Sequence, residues 1–506
     1  MVRRKRGVRE NPVFKLEQLP VVQLENGYSP IEVLSEEAIE LIHDGSMRIL
    51  EQVGLEILNG PARELMIRHG ATMDGETGYI RMDRELVMGL ISSIPSEFTL
   101  HARNPRFNAT YGGRHLNFTL VASAPNCSDL DRGRRAGNFA DYCRFVKLGQ
   151  VFNVIGAFSG YPVEPVDLPP HIRHLDAYQA FITLSEKPWH AYSLGNGKIE
   201  DAIEMICMAR GIDQERLKSE PSIMTVVNTN SPLKVDVPML DGLMTMAAFG
   251  QPVVVTPFTL SGAMSPVTIA GALAQQNAEA LGVLAITQMV NPGAPAMYGG
   301  FTSNVDMKSG APAFGTPEYA KAVLAGGQLA RRYHLPYRTS NVNAANCVDA
   351  QAAWESGMSL WAAVMAHGNM IKHSGGWLEG GLCASFEKLV VDMEMVQMMH
   401  EFLRPLKVTE SELALETIRE TGAGGHFFGS AHTLERYKDA FYAPIVTDWS
   451  NFENWTENGA IETAQRANQL FKQILDTYQE PELDSAIREQ LDEYVVRRKA
   501  EIKPVW

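Results

Sequence analysis

Between residues 116 and 373 the chain repeats one pattern. A short run of apolar or β-branched residues is followed by a cluster of Gly, Pro, Ser or Asn, and then by apolar residues at helical spacing. Such runs fall at 116–122, 152–158, 188–193, 222–228, 252–257, 296–301, 336–340 and 369–373. An alternation of this kind calls for a parallel sheet, because each strand returns to the same edge across a helix. Eight strands at intervals of about 30 to 43 residues predict an α/β fold, a (β/α)8 TIM barrel of roughly 250 residues.

The flanks have a different texture. Residues 1–30 read as an arm. Ser35 followed by Glu36 and Glu37 reads as a helix N-cap with acidic residues in the first turn. Helices are expected over 36–56, 60–69 and 83–94, followed by strand-like pieces at 98–102 and 109–111. After residue 401 helical patterns dominate, at 410–421, 433–439, 459–478 and 481–499. Three regions result: an N-terminal arm and α/β cap over 1–115, the barrel over 116–400 and a C-terminal helical region over 401–506. The stretch 242–305 holds a single charged residue, Glu279. Its helix must be covered by another subunit or by a neighbouring domain, which implies an oligomer or a heavily covered barrel.

Charge and cysteines narrow the class. Lys and Arg total 45 against 59 Asp and Glu, a net charge of -14. An acidic chain is a poor nucleic-acid binder. The one basic run, Arg3 to Arg6, reads as a solvated terminus. No apolar stretch follows it, so no secretory leader is expected, and no stretch suits a membrane-spanning helix. The five cysteines are scattered and form no CxxC, as in a cytoplasmic protein with reduced thiols and no structural zinc.

In a (β/α)8 barrel the chemistry sits at the C-terminal ends of the strands. Those ends offer Tyr161, Asn228, Asn230, Phe258, Phe301, Asn341, Asn343, His373, Trp377 and Glu379, with Ser and Thr residues between them. The set is rich in neutral hydrogen-bonding groups and aromatics, and poor in carboxylates and cations. Glycoside hydrolysis wants two facing carboxylates. A Schiff-base aldolase wants a buried lysine, and Lys372, the one candidate, is expected to point away from the lumen. Catalytic zinc wants three ligands, whereas His171 and His174 form only a pair, so no metal is expected. The glycines of 422–429 follow a helix and read as a turn. A neutral aromatic pocket suits a quaternary ammonium group, held by cation–π attraction of about 0.5–2 kcal/mol per ring. Tyr161, Phe258, Phe301 and Trp377 could supply the faces.

Several segments carry a resemblance. They are Asn341-Val-Asn-Ala-Ala-Asn-Cys-Val-Asp-Ala-Gln-Ala-Ala-Trp-Glu355, His373-Ser-Gly-Gly-Trp-Leu-Glu379 and Ser385-Phe-Glu-Lys-Leu-Val-Val-Asp392. Asn228-Thr-Asn-Ser-Pro-Leu233 and Thr447-Asp-Trp-Ser-Asn-Phe-Glu-Asn-Trp455 add to them. In order and spacing, from about residue 30 to the C-terminus, the chain resembles the trimethylamine methyltransferase (MttB-like) family.

The resemblance implies a (β/α)8-barrel enzyme that moves a methyl group from a methylated amine to the cobalt of a corrinoid protein. Archaeal trimethylamine enzymes of the family carry pyrrolysine at the barrel centre. The equivalent loop here, in or near 339–347, holds only standard residues. Members without pyrrolysine include enzymes acting on glycine betaine and other betaines. The expected substrate is therefore a quaternary amine, with the corrinoid (cobalamin) supplied by a partner protein and no tightly bound cofactor in this chain. Asn228, Asn230, Asn341, Asn343 and His373 are candidate donors to a betaine carboxylate, and Glu379 to an ammonium group or a loop donor. Two alternatives stay open: another acceptor such as tetrahydrofolate, or a non-catalytic betaine-binding protein. A homo-oligomer is expected. Cys347, inside the 341–355 segment, reads most simply as a small buried hydrophobe.

Overall fold

A computed structural model describes residues 16–503. Arg3 to Arg6 lie outside the described residues. The fold is mixed α/β. Eight strands pair in parallel in one curled sheet: β1 (His115–Thr119), β2 (Ile155–Ala157), β3 (Trp189–His190), β4 (Ile223–Val227), β5 (Val253–Val255), β6 (Ala296–Gly299), β7 (Tyr337–Ser340) and β8 (Met370–Lys372). Each lies within one of the runs expected from sequence, apart from the first residue of β1. The order across the sheet is β3-β4-β5-β6-β7-β8-β1-β2. The two outermost strands meet through one further backbone bond, Phe158 N–H to Pro188 O, at 2.9 Å.

A helix follows each strand: α1 (Phe139–Val151), α2 (Arg173–Leu184), α3 (Asn196–Arg210), α4 (Val237–Ala248), α5 (Ile269–Val290), α6 (Pro317–Arg332), α7 (Ala350–Met365) and α8 (Phe386–Phe402). Most begin at a side-chain cap that satisfies an otherwise free N–H: Asn138, Asp236, Thr268, Thr316, Asp349 and Ser385.

Strand parity separates the two faces of the sheet. Ile223, Val227, Val253, Val255, Tyr298, Tyr337 and Ile371 join the main core. Ala157, Met224, Val226, Val254, Met297 and Met370 form a second cluster on the concave face. Leu100, Ala109 and Tyr111 join that cluster from the hairpin Glu97–Leu100 and Ala109–Gly112. They pack into the N-terminal end of the concavity.

Helix α5, with Glu279 as its single charge, is buried along nearly all of its length. Its cover is the N-terminal cap of the same chain: helices Glu36–Arg48, Gly60–Arg68 and Arg84–Ile91 pack on it. Ser46 Oγ donates to Ala274 O at 2.9 Å, and Asn277 Nδ2 donates to Ser46 Oγ. Close packing leaves no room at Gly282, where a Cβ would lie 2.7 Å from Leu55 Cδ1. The burial of this apolar helix is therefore accounted for within the chain. The helix expected over 36–56 is shorter, since Glu36–Arg48 passes into a π-turn at Ile49–Val53 and stops at Gly54, whose φ is +87°.

Beyond α8 the helices are short until Thr463–Asp476 and Ser485–Glu501. The helix expected over 410–421 is broken at Ala414 into Glu410–Leu413 and Leu415–Thr421. Residues 404–460 expose many large apolar side chains, with Phe428 and Phe441 at 84% and 86%. Glu394 of α8 fastens the end of this segment, accepting from the backbone N–H groups of Ile445, Val446 and Thr447. Among the described residues no helix is long and apolar enough to cross a membrane.

Candidate functional site

The C-terminal edge of the sheet carries an aromatic collar. Phe301, just past β6, is its hub. Its centroid lies 5.1 Å from Phe258, 5.5 Å from Phe314, 6.0 Å from His373 and 6.3 Å from Trp377. His373 and Trp377 stack at 4.1 Å. Phe258 is half-buried and the others are buried. His373 has a φ of +59°, a conformation rare for a residue with a Cβ. Burial and the charges of Lys372 and Arg338 push its imidazole well below the usual range, so at neutral pH it is uncharged.

The collar is braced from behind. Asn343 donates to Trp377 O at 2.7 Å, and Trp377 Nε1 donates back to Asn343 O at 3.1 Å. Asn343 Nδ2 also reaches Ser356 Oγ on α7. Lys388 Nζ on α8 donates to the same hydroxyl at 2.9 Å and pairs with Asp392, both side chains fully buried. Asp392 in turn accepts from Gly376 N–H at 2.8 Å. The three segments 341–355, 373–379 and 385–392 are thus one hydrogen-bonded frame. A second brace is the sole charge of α5. Glu279 accepts from Thr229 Oγ1, Ser231 Oγ and Leu233 N–H, and so fixes the turn after β4.

Below the collar the concave face is cationic, which the strand-end inventory missed. Arg338 sits on β7 with the parity of that face, opposite Gly299 of β6. It is 2% exposed, lies over the Phe301 ring at 5.1 Å and donates to Gly300 O at 3.3 Å. A Cβ at Gly299 would lie 2.2 Å from Thr256 Oγ1, so only glycine lets β6 pack this closely against the end of β5. Lys372 follows Met370 on the same face and is buried. The expectation that it points away from the concavity is corrected: the parity of Met370 carries over two residues. Burial and then Arg338 push its ammonium well below the ordinary lysine range, and burial brings Arg338 down to about 10. His190 on β3 accepts from Val226 N–H through Nε2 at 2.9 Å. Burial, then Lys372, keeps that ring neutral, so its proton sits on Nδ1.

The remaining residues proposed from sequence are placed differently. Tyr161 packs away from the collar, against Tyr142, Tyr178 and Tyr192. Tyr192 instead faces the edge, its hydroxyl 2.8 Å from Ser123 Oγ. Asn228 is exposed at the end of β4. Asn230 holds its own turn, exchanging bonds with Lys234 O and Asp236 N–H. Asn341 is buried beside the collar with Oδ1 unpartnered, as are Thr256 Oγ1 and Ser340 Oγ. Glu379 is engaged by Arg134 at 2.9 Å. Cys347 is exposed, not buried, with its thiol on Asp349. His174 is committed to Asp201 at 2.9 Å. Phe314, Arg338, His190 and Tyr192 were not among the candidates, and Lys372 was weighed only as a Schiff-base lysine. Arg338 and Lys372 could have been found by counting parity from the methionines of neighbouring strands.

A parallel α/β sheet with its polar and aromatic groups gathered at the C-terminal edge defines an enzyme of small molecules. The chain belongs to the trimethylamine methyltransferase family, whose profile, described as Trimethylamine methyltransferase (MTTB), matches residues 2–503. It is 35% identical over 471 residues to the glycine betaine methyltransferase of Desulfitobacterium hafniense strain Y51, covering 93% of this chain and 98% of that protein. It is 27% identical to the trimethylamine methyltransferase MttB of D. hafniense strain DSM 10664 / DCB-2, covering 92% and 95%. MttB2 of Methanosarcina mazei is also 27% identical, covering 92% and 94%. The chain is accordingly a methyltransferase acting on methylated amines.

Proposed function

We propose that the chain moves a methyl group from a quaternary amine, glycine betaine or a related betaine, to the Co(I) of a corrinoid held by a partner protein. The observation that carries this reading is the collar of Phe301, Trp377, His373, Phe258 and Phe314. It is a set of ring faces with no carboxylic acid among them. Loss of a methyl cation equivalent from a quaternary nitrogen leaves a neutral tertiary amine. No proton is needed, so a neutral His373 and the lack of a general acid fit the reaction. The corrinoid supplies the nucleophile. This chain holds the cation against the rings, excludes water and aims one N-methyl outward along the open edge. The 35% identity to a glycine betaine methyltransferase over nearly its whole length supports a betaine. So do the standard residues of 339–347.

The sheet closes, on this reading, into a (β/α)8 barrel, supported by the Phe158 to Pro188 bond between β2 and β3. A homo-oligomer is supported by the apolar surface of 404–460. A cytoplasmic setting is supported by five free cysteines. The test of the reaction is incubation with Co(I) cobalamin and each of glycine betaine, proline betaine, carnitine, choline and trimethylamine. Absorbance then reports methylcobalamin. A betaine is expected to give the product and trimethylamine is not. Absence of product with every amine, with free cobalamin and with a corrinoid protein, overturns the reading.

A further inference from the structure

Two cations are buried beneath the collar without an acid. Arg338 and Lys372 take part in no ion pair among the described residues. They are diagonal neighbours on β7 and β8, since Arg338 registers with Met370 and Ser340 with Lys372. The charge that acts on Lys372 is the guanidinium of Arg338, which repels it. A buried cation without a partner is costly, because the ion gives up its water and gains nothing in return. An anion arriving between these two basic groups would restore the charge on Lys372 and pair both of them.

The surroundings are built for one. Arg338 Nε is fully buried with no hydrogen-bond partner. His190 Nδ1, which carries the ring proton, is likewise unpartnered. The Phe301 ring lies directly above, with Arg338 on it and the collar around it.

We propose that Arg338 and Lys372 are the anchor for the carboxylate of the substrate, with His190 as an additional donor. The inference rests on the methylated-amine reading above and sharpens it. The substrate is a zwitterion, its carboxylate down on the concave face and its trimethylammonium group up in the collar. The two charges of a betaine are then bound by opposite ends of one site. Selectivity follows: choline and trimethylamine share the ammonium group but leave both cations unpaired. The donors expected from sequence, Asn228 and Asn230, have no part in the anchor.

The test uses the full-length protein and calorimetric titration with three probes: glycine betaine, choline and acetate. The wild-type protein is expected to bind glycine betaine at least about 10- to 100-fold more tightly than choline, the difference a charge-assisted hydrogen bond makes. Lys372→Met is expected to lose that margin, leaving choline binding unchanged, and to abolish acetate binding. Lys372→Arg is expected to keep the margin within about threefold. Unchanged choline binding shows that the variant is folded. Should Lys372→Met misfold, Arg338→Lys is read by the same three titrations, with the margin reduced and choline unchanged. Glycine betaine and choline weakened equally in these variants, or bound equally by the wild type, overturn the anchor and leave the methylated-amine reading intact. Acetate bound through Lys372 while no methylated amine binds supports the anchor and removes that reading. No binding of any probe overturns both.

Discussion

Trp377 shows how a single side chain can serve as both wall and strut. Its ring closes the collar while its N–H and carbonyl are both held by Asn343. Trp377→Ala is expected to weaken glycine betaine binding by about 2- to 30-fold, one ring's worth of cation–π energy. Trp377→Phe should retain most of the affinity, as titration would show. His400 acts at the other end of the sheet. It is buried beside Phe118, and burial, helped by Arg404, lowers its imidazole to about 4. The unfolded chain binds that proton near pH 6.5, the folded chain only near pH 4. The stabilisation is therefore fully present above pH 6.5 and lost as the pH falls to about 4. It amounts to about 3 kcal/mol from this group. Urea unfolding between pH 7 and pH 4 should show a shallower loss in His400→Gln than in the wild type. A steepness identical in both would exclude the assignment. His190 and His373, also depressed, act in the same direction, so the variant retains some slope.

At the scale of elements, the frame behind the collar is the part of the site most exposed to mutation. Lys388 and Asp392 are a fully buried pair one helical turn apart on α8, tied to α7 through Ser356 and to the collar loop through Gly376. Removing one partner strands the other charge. Lys388→Met alone is expected to destabilise the protein by about 3–5 kcal/mol, and Lys388→Met with Asp392→Leu by much less. A double-mutant cycle in urea measures the difference; additive losses would show that the two residues do not act as a pair. The elements themselves were legible in the sequence. Short β-branched runs such as 222–228 and 252–257 stand between Gly and Pro signals and have nowhere to go but a buried sheet. Phe301, Trp377 and His373 were legible too, because a strand end is visible as the place where a run stops. What stayed hidden depends on register. Whether Lys372 faces inward is decided by Met370 and its neighbours on other strands. That Asn343 serves the frame and not the ligand depends on Ser356 and Trp377, thirteen and thirty-four residues away. Tyr161 was misplaced because an aromatic after a strand looks the same whether it turns to the edge or to the helices.

For the molecule as a whole, the covering of α5 by the N-terminal cap shifts the search for an interface to the C-terminal region. Residues 404–460 carry Leu406, Phe428, Phe441, Trp449 and Phe452 on the surface. Large apolar side chains exposed in such number along one segment are a mark of an interaction surface. Sedimentation velocity is expected to show an oligomer, and Phe428→Asp with Phe441→Asp to shift it towards monomer with the far-ultraviolet spectrum unchanged. A wild-type protein that sediments as a monomer at micromolar concentration would rule this out. The filled end of the sheet has a consequence of another kind. Leu100, Ala109 and Tyr111 stop the concavity at its base, so an amine held under the collar is best reached from the C-terminal edge. On the proposed reaction the amine must be seated before the acceptor stands over it, and the demethylated product can leave only after the acceptor has stepped away. Turnover on that reading is a compulsory queue, and an excess of acceptor would slow it by standing over a site that has not yet received its amine.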